Sequence, residues 1–254
     1  ATIRRQRQMC IRDRPYWQFL KYSMFSDYFF KSKSLFYSLL VTLPLFIIYE
    51  IGIFFLFQAD ISFSKNGADV LIEEFIKMLG LNGYYAASSI FIIVLFFILF
   101  NQRKNFKTFD ISIKYISIMV IESLLYAGIL LLVLQNIYLI QGLTANVINN
   151  IILSIGAGLY EELIFRFLLL FILTKSFSFI FKTNESSSLI LSIIFSSILF
   201  SSFHYIGIES FTPLSFTLRF IAGVYLSLIY INRGFGIVAL THAFYDLFVI
   251  FQLT

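Results

Sequence analysis

Seven stretches of this chain are apolar over almost their whole length: Leu35–Phe57, Tyr84–Phe100, Tyr115–Leu134, Val147–Thr174, Ser187–Ile206, Leu214–Ile231 and Phe235–Phe251. Runs of this length without an amphipathic stripe do not suit a water-facing fold. In a bilayer each backbone must satisfy its own hydrogen bonds, which a helix does. The expected fold is therefore all-α: a polytopic transmembrane helical bundle of seven spans, with an eighth if the long fourth run is broken. Composition agrees. Charged residues make up 13% of the 254, where a soluble domain carries roughly 25%.

The segment from Tyr16 to Ser34 mixes aromatics with Lys21, Lys31 and Lys33 and reads as an interfacial helix leading into the membrane. Before it, "ATIRRQRQMCIRDR" (residues 1–14) is set aside as a non-native leader, leaving 15–254 as a single integral-membrane domain. Cys10 is the one cysteine, so neither an internal disulfide nor a cysteine pair for a metal can form. Between the first two runs, "GADVLIEEFIKMLGLNG" sets Asp69, Glu73, Glu74 and Lys77 against Val70, Leu71, Phe75 and Ile76. That pattern predicts a surface helix, too short and too charged to span.

The loops alternate in charge. Arg103, Lys104, Lys107 and Lys114 make the second positive, Lys175 and Lys182 the fourth, and Arg233 the sixth. The first loop is net negative, the third carries no charge, and the fifth has only Glu209. Together with the N-terminal lysines, this predicts a cytoplasmic N-terminus for an integral protein of a bacterial plasma membrane. The net charge of +5 then bears on topology and lipid contact, and no nucleic-acid module is present.

An ionised group in lipid costs about 2.5–3.5 kcal/mol by insertion scales, so each one inside a span needs a reason. Glu50, Glu122, Glu161, Glu162, Arg166, His204, Arg219, His242 and Asp246 all lie in the apolar runs. Glu162 and Arg166 are four apart and share a helix face, in the favourable order for an ion pair. Glu161 is turned about 100° from that stripe and has no local cation. An unpaired carboxylate in a water-poor site is a candidate proton acceptor. Gly156, Ala157 and Gly158 precede it and leave room for another helix to approach. His242 and Asp246 repeat the four-residue spacing, and His204 closes the run "FSSFH". Polar groups on separate helices without local partners are best satisfied by one another. Arg219 is expected to pair across helices with Glu50 or Glu122.

These residues carry a resemblance. Glu161-Glu162-x-x-x-Arg166, Phe200-x-x-x-His204 and His242-x-x-x-Asp246, in that order on separate apolar helices, resemble the three motifs of the type II CAAX prenyl endopeptidase and bacteriocin-processing family. Its members are also called the abortive-infection family and are intramembrane proteases. The intervening "FIAGVYLSLIYINRGFGIVALTHAFYD" matches as well, and the resemblance covers about Ile148 to Phe251. It implies hydrolysis of a peptide bond in a membrane-associated protein or peptide. Glu161 and His204 would activate water, His242 and the residue at 246 would stabilise the oxyanion, and Glu162 and Arg166 would position the group.

Position 246 often holds Asn in prenyl-processing members, and here it is Asp. An ionised Asp cannot donate to an oxyanion. It is either protonated, or orients His242, or binds a metal. Glu161, His204, His242 and Asp246 would make a zinc set of nitrogen and oxygen ligands, although water activation without a metal is the favoured reading. Two other readings use the same residues: a non-catalytic immunity or scaffold protein that binds a peptide or partner helix, and a transporter with a proton relay. One geometric difficulty stands. At about 1.5 Å per residue from the inner span ends, Glu161 lies roughly 20 Å deep, His204 roughly 25 Å and His242 roughly 11 Å. Tilt, or a kink near Gly156 and Gly158, would have to bring them level.

Overall fold

The computed structural model describes residues 25–58, 65–80, 88–89, 91–93, 96–97, 100, 111–134, 147–182, 184–206 and 210–253. Among the described residues there are helices and no strand. Helix α1 covers residues 25–32. Helix α2 is Leu35–Gln58, α3 is Gly67–Met78 and α4 is Ile113–Val133. The long α5 runs Val147–Phe181, α6 is Glu185–Phe203, α7 is Pro213–Arg233 and α8 is Phe235–Leu253. Five of these (α2, α4, α5, α6 and α7) are long and apolar enough to cross a membrane, and Phe235–Phe251 of α8 is a shorter apolar helix. The chain is an integral-membrane helical bundle. Six of the seven expected runs are seen as helices. The second lies largely outside the described residues, as do the leader at 1–14 and the start of the expected interfacial helix.

Helix ends follow local chemistry. Asn66, Asn184 and Thr212 cap α3, α6 and α7, each accepting a first-turn N–H through its side chain. Pro213 opens α7, where its missing N–H costs nothing. Between α7 and α8 the chain turns at Gly234 alone, with φ +83°, a conformation that strains other residues.

Helix α8 is the axis of the bundle. It packs against α4, α2, α5 and α7, and Ile237, Val238, Ala239 and Ala243 are wholly buried. Small residues make this closeness possible. A Cβ on Gly158 would stand 2.5 Å from the Ala239 carbonyl oxygen and 2.7 Å from the Ala243 nitrogen, both backbone atoms. A Cβ on Gly156 would stand 2.3 Å from the Tyr49 ring.

Where these contacts crowd α5, the helix widens. It is π-helical over Ala157–Glu161 and again over Leu163–Leu169. Such stretches are rare and cluster at functional sites. Side chains take up backbone groups that this geometry frees: Ser196 of α6 donates to the Phe165 carbonyl at 2.8 Å.

Helix α3 lies with its charged side inward. Ala68, Asp69 and Glu73 are buried, while Val70, Leu71, Phe75 and Met78 are exposed. An apolar face turned outward suits lipid, as in an interfacial helix. Asp69 accepts from the Tyr49 hydroxyl at 2.9 Å, and Glu73 pairs with Lys65 at 3.0 Å and Lys77 at 2.9 Å. Burial pushes the Asp69 carboxyl above its ordinary value, against the opposing pull of Lys65 and Tyr49. Burial also works against the Glu73 charge, but the bonds from Lys77 and Lys65 outweigh it and hold that group low.

The Gly158 contact yields a direct test. Gly158→Ala should lower stability by roughly 1–3 kcal/mol, the usual effect of forcing a methyl into a filled core. Thermal unfolding of the purified protein in detergent measures it.

Candidate functional site

Glu161 and Glu162 occupy the junction of the two π-helical stretches in α5. Their carboxylates address different neighbours. Glu162 is fully buried, and its Oε1 accepts from Arg166 Nη1 at 2.8 Å and from His242 Nδ1 at 2.7 Å. Arg166 is also buried, with its guanidinium 4.1 Å from the centre of the Phe200 ring. A desolvated cation over an aromatic face gains about 2 kcal/mol. The Phe200 ring meets His204 and His242 edge-on, with centroids at 5.0 and 6.0 Å. Phe200 thus stands between the arginine and both histidines.

Glu161 faces the other way. Its Oε1 accepts from Asn66 Nδ2 at 2.9 Å. Its Oε2 is buried, finds no hydrogen-bond partner among the described residues, and lies 3.9 Å from His204 Nε2. His204 follows the last turn of α6, and its Nδ1 is 2.9 Å from the Phe200 carbonyl oxygen. A carbonyl only accepts, so Nδ1 carries the hydrogen. In the neutral ring Nε2 is then an acceptor. Two acceptors, Glu161 Oε2 and His204 Nε2, therefore face each other without touching.

His242 Nε2 lies 3.7 Å from Asp246 Oδ2. This is within ion-pair range but too long for a hydrogen bond. Carboxylates thus flank both of its ring nitrogens.

The structure brings together Glu161, Glu162, Arg166, Phe200, His204, His242 and Asp246, from three helices distant in sequence. They meet even though a count of residues along each helix would put them at different depths, because such a count carries no information on tilt or on where each helix begins. The geometry lends no support to the zinc set of Glu161, His204, His242 and Asp246. Among the described residues no group of three or more His, Cys, Asp and Glu side chains is arranged to hold one ion. Each histidine keeps Nε2 free of a hydrogen bond among the described residues, but the two Nε2 atoms face different carboxylates, Glu161 at 3.9 Å and Asp246 at 3.7 Å. A cavity of about 210 Å³, lined by Lys33, Ser38, Phe167 and Tyr230 among others, shares no residue with this group.

The remaining buried charges are accounted for elsewhere. Glu50 accepts from the Tyr160 hydroxyl at 2.8 Å. Glu122 is bound by Arg233 through Nε and, at 2.9 Å, Nη2, and by the Tyr28 hydroxyl. Arg219 donates to Ser215 at 2.7 Å and lies 3.5 Å from the Tyr205 hydroxyl, and the two acids expected as its partners are bonded to Tyr160 and to Arg233 instead. Arg233 is not a free loop charge either. It ends α7, buried at 4% exposure.

Asn66 escaped the sequence reading because it lies in the first loop, far from any motif. The one available signal is its place as a capping residue before the helical pattern of α3.

Comparison with known families now bears on the same residues. Residues 143–248 match the family model of type II CAAX prenyl endopeptidases, Rce1-like. The Rce1-like stretch holds all seven of the residues brought together here, covers less than half of the chain, and leaves Asn66 and α1–α4 outside. No curated protein and no solved structure matches the chain.

The Glu162–Arg166 pair should be structural as well as local to the site. Arg166→Leu removes one of the two donors to the buried Glu162 carboxylate and should cost about 3–5 kcal/mol. Glu162→Gln together with Arg166→Leu should recover much of that loss. Unfolding midpoints of the two variants in detergent decide it.

Proposed function

We propose that this protein is an intramembrane endopeptidase that hydrolyses a peptide bond of a membrane-associated protein or peptide, using water activated by Glu161 and His204. The observation that carries this reading is the 3.9 Å gap between Glu161 Oε2 and His204 Nε2, with the carboxylate oxygen otherwise unpaired. A water set between two acceptors donates one hydrogen to each, which fixes its lone pairs toward a third direction. A scissile carbonyl carbon in that direction would be attacked as Glu161 takes the proton. The tetrahedral oxyanion then collapses, the C–N bond breaks, and the proton on Glu161 passes to the leaving amine.

A doubly protonated His242 is the donor to the oxyanion, and in a water-poor site such a donor is worth far more than in water. Asp246, close to Nε2 but outside hydrogen-bond range, orients and neutralises that ring rather than donating itself. Glu162 and Arg166 fix the ring from its Nδ1 side. On this reading no metal takes part, the N-terminus is cytoplasmic and the membrane is a bacterial plasma membrane. The Rce1-like match supports the reaction class and leaves open whether the substrate is prenylated.

The test is cleavage of a quenched fluorescent peptide library by the protein reconstituted in liposomes. Glu161→Gln and His204→Ala should each slow cleavage by about 10²–10⁴-fold while leaving the unfolding midpoint near that of the wild type. Wild-type rates in Glu161→Gln would remove its assigned role.

A further inference from the structure

We propose that Asn66, outside the Rce1-like stretch, is a positioning residue that holds Glu161 in the one rotamer that leaves Oε2 facing His204.

Asn66 is 7% exposed, and its side chain does two things at once. Oδ1 accepts from the Ala68 N–H at 2.9 Å and caps α3, while Nδ2 donates to Glu161 Oε1 at 2.9 Å. Capping alone does not call for asparagine, because Ser and Asp cap equally well. Only the amide offers a donor on the same rigid plane, aimed away from the helix it caps.

The backbone behind it is fixed as well. The Asn66 N–H donates to the Tyr49 hydroxyl at 3.1 Å, and that hydroxyl donates to Asp69 at 2.9 Å. The Tyr49 ring sits where Gly156 has no side chain, one turn before Glu161. Gly67 lets the start of α3 approach α6, since a Cβ there would stand 3.1 Å from the Phe203 ring. Phe203 precedes His204. The residues that seat Asn66 are thus the neighbours, in chain or in space, of the two groups it relates.

The consequence for Glu161 is geometric. A glutamate carries three rotatable bonds, and an unheld carboxylate would spread over several rotamers. With Oε1 tied to Asn66, the plane of the group is set and Oε2 is the oxygen left for the gap to His204. Displacement of a reacting group by about 1 Å can cost on the order of 10²-fold in rate.

The experiment uses Asn66→Ser, which keeps a capping oxygen but is too short to reach Glu161. Its effect on the unfolding midpoint is measured in the wild type and in Glu161→Ala, and cleavage is measured in the liposome assay. The expected result is a lower midpoint in the wild type and little change in the Glu161→Ala background, because the lost bond already lacks its acceptor there. With a cleaved peptide, kcat should fall by about 10²-fold at nearly constant KM, the mark of an interaction needed in the transition state.

Equal midpoint losses in both backgrounds would overturn the bond. Coupled midpoints with an unchanged kcat would overturn the positioning role. The role rests on the peptidase reading, but the coupling does not. Coupled midpoints in a wild type that cleaves no peptide would therefore sink the peptidase reading and sustain the hold of Asn66 on Glu161.

Discussion

Charge in a lipid setting must be neutralised from within, and the architecture follows from how this chain does it. Glu162, Arg166 and His242 form a buried knot in which one carboxylate oxygen takes two donors from two helices. Removing any one of them strands the rest, since a buried ion without its partner is far costlier than a surface one. The knot fixes α5 against α8, and the Phe200 ring under Arg166 adds α6. The geometry around Glu161 is built on that fixed frame.

Close approach is what lets the frame exist. Gly158 admits the backbone of α8, and Gly156 admits the Tyr49 ring. The π-helical turns between Ala157 and Leu169 accommodate this crowding, and Ser196 answers one of the carbonyls they loosen. Adjacent glutamates can then serve separate partners: one the ion pair, the other the open side near His204. Two residues that differ only by their turn on a helix acquire different chemistry.

Much of this was legible beforehand, for physical reasons that differ by element. The helices α2 and α4–α8 announced themselves through uninterrupted apolarity, which suits a bilayer. The convergence of Glu161, His204 and His242 followed from counting polar groups without local partners. Depth along the helices misled, because residue counts carry no information on helix tilt or on where each helix starts. Of the charges left unassigned by the sequence, Glu50 is met by a neutral hydroxyl, that of Tyr160, and Glu122 by Arg233, which a sequence reading places in a loop. Asn66 was invisible since its contact spans 95 residues of sequence, and no local pattern encodes such a distance.

The tie between Glu122 and Arg233 carries a consequence for how such a chain can be divided. Arg233 also reaches Ser32 at 3.0 Å and lies over the Phe29 ring at 4.2 Å, while α8 leans on α2 and α4 along much of its length. The matched C-terminal stretch is therefore packed against the helices before it rather than standing apart. Severed near residue 143, it would bare the flank of its central helix, leave one arginine unneutralised and free an oxygen of Glu161. The motifs are thus tied in space to the helices that precede them in the chain.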